Sequence, residues 1–227
     1  MEILSLVRCA NNDMSDEVRQ KFLDIHNSYR YSLFEKRNAL IITNVDIPIC
    51  RSMVAKGEAK DPVSGKAPPA AKMRKMRYDC DIEASAMHHA KKCKFEHMQT
   101  EEVGENIWMT TERKADKLSV AEQASQNWFS ELERYGVGND TRLTWELWNR
   151  PGTVIGHYTQ MVWQNTYKLG CHVEWCESMT FAVCQYSPMG NIVNRLIYEK
   201  GNPCTKDSDC GSDATCSSSE ALCIVKA

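Results

Sequence analysis

Gly156-His157-Tyr158-Thr159-Gln160-Met161-Val162-Trp163-Gln164-Asn165-Thr166 stands where the pattern of the chain changes. Before it, apolar residues recur at helical spacing; after Gly156 the period moves toward two. Tyr158–Gln164, Leu169–Cys176 and Thr180–Ser187 read as strands in succession. The last two flank a tight turn near Glu177-Ser178. If that turn has two residues, Cys171 falls directly opposite Cys184, where a cross-strand disulfide can form.

Working outward toward the start, three segments carry helix signals. Ser15 can cap a helix running to Tyr31, with Val18, Phe22, Ile25 and Tyr29 as its stripe. A second helix is expected from about Asp81 to Cys93, with Ile82, Ala86, Ala90 and Cys93 on one side. A third spans about Val120 to Arg134, with Ala121, Ala124, Trp128 and Leu132 facing the core. Glu105–Met109 is short and strand-like. From about Asn38 to Lys72, Pro48, Gly57, Pro62, Gly65, Pro68 and Pro69 mark a long surface excursion. Toward the end, apolar periodicity stops at Gly201. Cys204, Cys210, Cys216 and Cys223 then sit among Ser, Asp and Thr, a small appendage that needs bridges to hold a shape. Residues 1–200 are therefore expected to form the main domain and residues 201–227 a cysteine-rich tail.

A 227-residue chain can bury a real core, so its 11 cysteines are not there to rescue a tiny fold. Their density points to an oxidising compartment. There is no CxxC pair, HExxH run or zinc-finger spacing, and the cysteines read as bridges. The formal charge is −2, without a basic cluster interleaved with aromatics, which argues against a nucleic-acid partner. No apolar run approaches the length of a membrane span. Met1–Arg8 is too short for a secretion signal, which is expected to be removed or to lie outside this sequence. Asn139-Asp140-Thr141 is the one N-glycosylation sequon, in a loop-like setting.

Four segments together resemble the CAP superfamily of cysteine-rich secretory proteins, venom allergens and plant pathogenesis-related proteins. They are Gly156–Thr166, Phe181-Ala182-Val183-Cys184-Gln185-Tyr186-Ser187-Pro188-Met189-Gly190-Asn191-Ile192, His26-Asn27-Ser28-Tyr29-Arg30 and Gly104-Glu105-Asn106-Ile107. Met73–Cys80 and Ala121-Glu122-Gln123-Ala124 resemble, within it, single-domain nematode secreted proteins of the activation-associated (Ancylostoma-type) or venom-allergen-like group. The tail is similar to the hinge of cysteine-rich secretory proteins. The resemblance implies an α+β fold: a three-layer α-β-α sandwich around a mostly antiparallel sheet, with the short cysteine-rich extension. It also implies the pairs Cys171–Cys184, Cys93–Cys176 and Cys9–Cys80. A further family bridge is lost together at Val103 and Ser187. For the tail, Cys204–Cys216 and Cys210–Cys223 are expected among three possible connectivities. The family match leaves Cys50 over. Between Pro48 and Arg51-Ser52 it reads as an accessible loop residue that links two copies into a disulfide homodimer, with capping by a small thiol or burial as the other outcomes.

The resemblance also groups His97, Glu105, Glu131 and His157 at the floor of a central cleft. Two imidazoles suit Zn2+, and two carboxylates can close the site directly or through water; alternatively the four simply hydrogen-bond one another. His26 reads as a structural hydrogen-bonder, and the adjacent His88 and His89 as solvated. Trp145 and Trp148, just before His157, either grip a ligand or pin their loop to the core. There is no GxSxG elbow, phosphate loop or cysteine–histidine pair to specify an enzyme. The expectation is a secreted, non-enzymatic effector that binds an extracellular protein or lipid and, as the resemblance implies, modulates host immunity. The alternatives are a sterol or fatty-acid carrier, and a metal-dependent hydrolase using the His/Glu cleft.

Overall fold

The computed structural model describes residues 7–10, 13–27 and 50–226. The expected end of the first helix, Ser28–Tyr31, and the first part of the excursion, 38–49, lie outside the described residues. The elements in chain order are α1 (Asp16–Asn27), α2 (Cys50–Ala55), β1 (Lys60–Asp61), β2 (Gly65–Lys66), β3 (Arg77–Tyr78), α3 (Cys80–Ala90), β4 (Gly104–Thr110), α4 (Lys117–Phe129), α5 (Glu131–Tyr135), α6 (Trp145–Trp148), α7 (Gly156–Met161), β5 (Lys168–Trp175) and β6 (Thr180–Ser187). A 3-10 turn (Asp207–Cys210) and the hairpin β7 (Ala214–Ser217) and β8 (Leu222–Val225) form the tail.

The sheet is four strands in the order β3-β5-β6-β4, antiparallel except where β3 joins β5. The two-residue turn Glu177-Ser178 sets its register: Cys176 N–H donates to Met179 O at 2.9 Å, and Cys171 lies opposite Cys184. Alternation along β6 then sorts side chains to two faces. Phe181 and Val183 pack with Ala86 and Ala90 of α3, while Ala182, Cys184 and Tyr186 join the larger core shared with α1, α2, α4 and α7. Helix, sheet and helix thus make three layers. Gly170 is where α3 sits closest, since a Cβ there would lie 2.1 Å from the Glu83 backbone nitrogen.

Two buried arginines fasten the helices. Arg19 of α1 grips Glu83 of α3 with two hydrogen bonds of 2.7 and 2.8 Å, and Tyr78 adds a third. Arg51, fully buried in α2, donates to the carbonyls of Met161, Trp163, Thr166 and Arg74, filling acceptors left at the end of α7. Burial pushes its guanidinium down to about 9. Asp61 is nearly fully buried and accepts from four backbone N–H groups, those of Val63, Ser64, Val137 and Gly138, which clamps the turn leading toward α6.

Five disulfides are formed: Cys9–Cys80, Cys93–Cys176, Cys171–Cys184, Cys204–Cys216 and Cys210–Cys223. The tail hairpin is docked rather than dangling. Ala221 and Leu222 enter the main core, Cys223 exchanges backbone hydrogen bonds with Met73 and Lys75, and Arg74–Asp213 and Lys75–Glu220 bridge its flanks.

Three sequence expectations are corrected. Tyr158–Gln164 is not a strand: Gly156–Met161 is helical, and Tyr158 through Met161 are buried in succession. The polar members that imitate alternation, Thr159 and Gln160, spend their polarity inside, on Asn191 Oδ1 and Gly190 N. The helix expected over 120–134 is two, α4 and α5, interrupted at Ser130. Cys50 is not in an accessible loop: it opens α2 with no exposed surface. A thiol buried there cannot meet a second copy of the folded chain, so the premise for a Cys50-linked homodimer fails.

Candidate functional site

A cleft of about 470 Å3 opens between the β4 edge and the loops around α6 and α7, bordered by His97, Glu105, Asn106, Trp148, Val154 and His157 among others. His97, Glu105 and His157 come to it from three separate segments. Glu131 stands behind His157, joined to it across the break between α4 and α5.

Each histidine facing the cleft is backed by a carboxylate. His157 Nδ1 lies 2.6 Å from Glu131 Oε1, while Glu131 Oε2 accepts the Tyr158 N–H at 2.9 Å. His97 Nδ1 lies 3.1 Å from Glu105 Oε1, which also takes the Met98 N–H at 2.9 Å. A carboxylate beside Nδ1 accepts its proton and so places the lone pair on Nε2. Neither Nε2 is hydrogen-bonded among the described residues. The rings sit 6.4 Å apart, centroid to centroid. Trp128 stacks behind His157 at 6.2 Å, and Asn106 Nδ2 donates to the His157 carbonyl, so the ring is held from two sides.

His89 joins this set, against the expectation that it is solvated. It is buried, and its Nδ1 lies 2.7 Å from Glu105 Oε2, which also accepts from Gln185 at 2.9 Å. The reason is the turn of α3: His88 faces water while its neighbour, about 100° round the helix, faces the sheet and packs on Phe181. No spacing in the sequence separates the two; only the helix phase set by Ala86 and Ala90 could have done so. Burial pushes the Glu105 carboxyl up, but the hydrogen bonds from His97, Gln185 and Met98 and the neighbouring His89 outweigh it and hold it below its ordinary value. Glu105 is therefore an anion with its oxygens spent on four donors.

His26 stays outside the cleft. Its Nδ1–H donates to Phe22 O, its Nε2 accepts from the Tyr186 hydroxyl, and burial drives it down to about 3, so it is neutral. Trp145 and Trp148 lie on α6, capped by Thr144, and are 55% and 39% exposed. Trp148 does pin its loop, since its ring rests on Gly156, where a Cβ would be 3.2 Å away, but it also lines the cleft. Asn139 is exposed.

The residues fit a divalent ion in a specific sense: two imidazoles are offered as ligands through Nε2 and two carboxylates with little exposed side-chain surface orient them. The carboxylates act through the rings rather than as a gathered four-ligand set. Among the described residues the one closer gathering of ligand atoms is Cys204, Cys210 and Cys216, which disulfides consume.

Comparison with known proteins gives consistent matches. The model of the cysteine-rich secretory protein family (CAP) matches residues 23–186. The chain is 47% identical over 217 residues to Ancylostoma secreted protein of Ancylostoma caninum, covering 94% of this chain and 46% of that protein. It thus spans about half the length of this relative. Among solved structures, Na-ASP-1 superposes with a TM-score of 0.81 at 47% identity, over 94% of this chain and 48% of the other. NaASP2, solved with Zn2+, gives 0.79 at 46% identity, over 95% and 100%.

Proposed function

The chain belongs to the cysteine-rich secretory protein (CAP) family, and from that premise we propose that it is a secreted, non-enzymatic effector whose cleft binds a divalent cation and engages an extracellular partner. The observation that carries the reading is the pair of carboxylate-backed histidines, His97 with Glu105 and His157 with Glu131, bordering one cleft. A bound Zn2+ would supply a positive centre there. His97 and His157 would hold it, and Glu105 and Glu131 would keep the rings oriented and in the right tautomer. That a relative 46% identical to this chain was solved with Zn2+ supports the choice of ion.

Extracellular placement is supported by the relative named as a secreted protein, by the five disulfides, and by the absence, among the described residues, of any helix long and apolar enough to cross a membrane. The exposed Asn139 then carries an N-glycan, and modulation of host immunity is the role that fits a nematode-type effector. The division into a main domain, 1–200, and a tail, 201–227, is part of the same proposal.

Zinc titration by calorimetry tests the site. Wild type should bind one ion. His97→Ala/His157→Ala should lose at least tenfold in affinity, and Glu131→Gln, which removes a buried orienting group, tenfold or more. Imidazole ligates only when neutral, so binding weakens with acid. Equal affinity in wild type and the double variant would place any metal elsewhere.

A further inference from the structure

The two histidines of the cleft are anchored differently. Glu131, behind His157, has its second oxygen tied to backbone, since Oε2 accepts the Tyr158 N–H at 2.9 Å. Glu105, behind His97, takes a backbone N–H, that of Met98, on the same Oε1 that must also take the His97 ring. Its other oxygen is held by side chains alone: His89 Nδ1 at 2.7 Å and Gln185 Nε2 at 2.9 Å. His97 needs this support more than His157 does. Its side chain is 54% exposed against 24%, and it lies outside any helix or strand, whereas His157 is on α7 and stacks on Trp128.

Both donors to Oε2 are built into the fold. The β4–β6 register puts Glu105 opposite Gln185, so the amide meets the carboxylate across neighbouring strands. Gln185 turns its NH2 to Glu105 although its own Oε1, buried, finds no partner among the described residues. An orphaned buried carbonyl is costly, but the flipped amide would set that carbonyl against the carboxylate. His89 reaches the same oxygen from α3. Ala86 and Ala90 flank it, the helix is drawn close at Gly170, and the ring stands edge-on to Phe181 at 6.0 Å. Just beyond α3, the Cys93–Cys176 bridge fastens the chain to the residue that follows β5. His89 is thus packed on every level at which His97 is open.

We propose that His89 is a positioning residue for the cation site: its Nδ1–H fixes the rotation of the Glu105 carboxylate, and through it the tautomer and aim of the His97 ring. The proposal rests on the cation reading above and adds a residue that acts one carboxylate away from the ligand. Without His89, Oε2 keeps only the Gln185 amide, and the carboxylate is free to turn about its Cγ–Cδ bond. Oε1 then leaves the line of the His97 Nδ1–H. An exposed neutral imidazole that loses this acceptor moves its proton to Nε2, the ligating atom, and a proton there blocks the metal. Glu131 needs no such helper, because the Tyr158 N–H holds it. One half of the site is therefore set through α3, and the other half is not.

Nitrogen NMR of the histidine rings in metal-free protein reads the tautomer directly, and zinc calorimetry reads its consequence. Wild type should show His97 and His157 both protonated on Nδ1. His89→Phe keeps an aromatic ring against Phe181 but removes the donor. It should shift His97 toward Nε2–H, leave His157 unchanged and weaken zinc binding about tenfold, the low end for an outer-shell partner. His89→Asn returns an N–H donor near the place of Nδ1 and should restore both readings. His88→Ala, one residue away and facing water, should change neither. A residue that only stabilised the fold would move both histidines together or neither, and asparagine would not rescue it. Were His89→Phe not to fold, wild type still answers: the His89 Nδ1–H signal should be protected from exchange and should shift when zinc binds. An unaltered His97 tautomer in folded His89→Phe, or a His89 signal indifferent to bound zinc, overturns the proposal. Failure of wild type to bind zinc overturns the cation reading, while the His97 tautomer decides the positioning role by itself.

Discussion

Whether a carboxylate in this protein clamps the fold or orients a ligand depends on what its oxygens face. Asp61 faces only backbone. Burial raises its carboxyl, but four N–H donors more than compensate and hold it below its ordinary value. The unfolded chain therefore takes up the proton at higher pH than the folded one. The stabilisation is complete above about pH 4 and is lost as pH falls through the lower folded value. Asp61→Ala should cost about 3 kcal/mol near neutrality by leaving buried donors unpaired, and the gap to wild type should narrow in acid. Urea melts at pH 7 and pH 3 would check this; a gap that widened in acid would contradict it. At this scale the sequence was only partly readable. Nothing in the spacing of His97, Glu105, Glu131 and His157 groups them; the family resemblance did. His89 escaped because adjacent histidines look alike until the phase of α3 is known.

At the scale of elements, alternation of polarity was read as alternation of burial, and the two came apart at α7. The strands β5 and β6 lie where the sequence placed them, but burial does not alternate there either: one face meets α3 and the other the main core, so nearly every residue is buried, and it is the Glu177-Ser178 turn that fixed the register. Ser130 could not be seen as a break, since serine is tolerated in helices and no proline or glycine announces the stop. The closeness of α3 to the sheet was likewise silent in the sequence, yet it depends on one residue. Gly170→Ala places a methyl group against the Glu83 backbone, which no side-chain rotation relieves. Destabilisation of about 3 kcal/mol or more is expected, with α3 displaced. Thermal melts compared with Gly65→Ala, where a Cβ meets nothing within 4 Å but the backbone has a positive φ, would separate steric from backbone cost.

For the whole molecule, ten cysteines in five bridges leave Cys50 to be explained by the core rather than by assembly. Burial raises its thiol well above the ordinary value, so it stays protonated and inert. Ellman's reagent should find no reactive thiol in the native protein and one per chain in guanidinium. A disulfide dimer on a non-reducing gel that vanished with Cys50→Ser would contradict this. The bridges and the docked hairpin have a mechanical consequence as well. Cys9 is bonded to Cys80 just after β3, and Cys223 is hydrogen-bonded to Met73 and Lys75 just before it, with Val7 and Val225 lining one groove. Tension applied between these two ends would run through residues 73–80 and the bonds attached to them. The β4–β6 pair, His97 and His157 would lie off the line of force, so a chain tethered and pulled from both sides could bear load without its cleft changing shape.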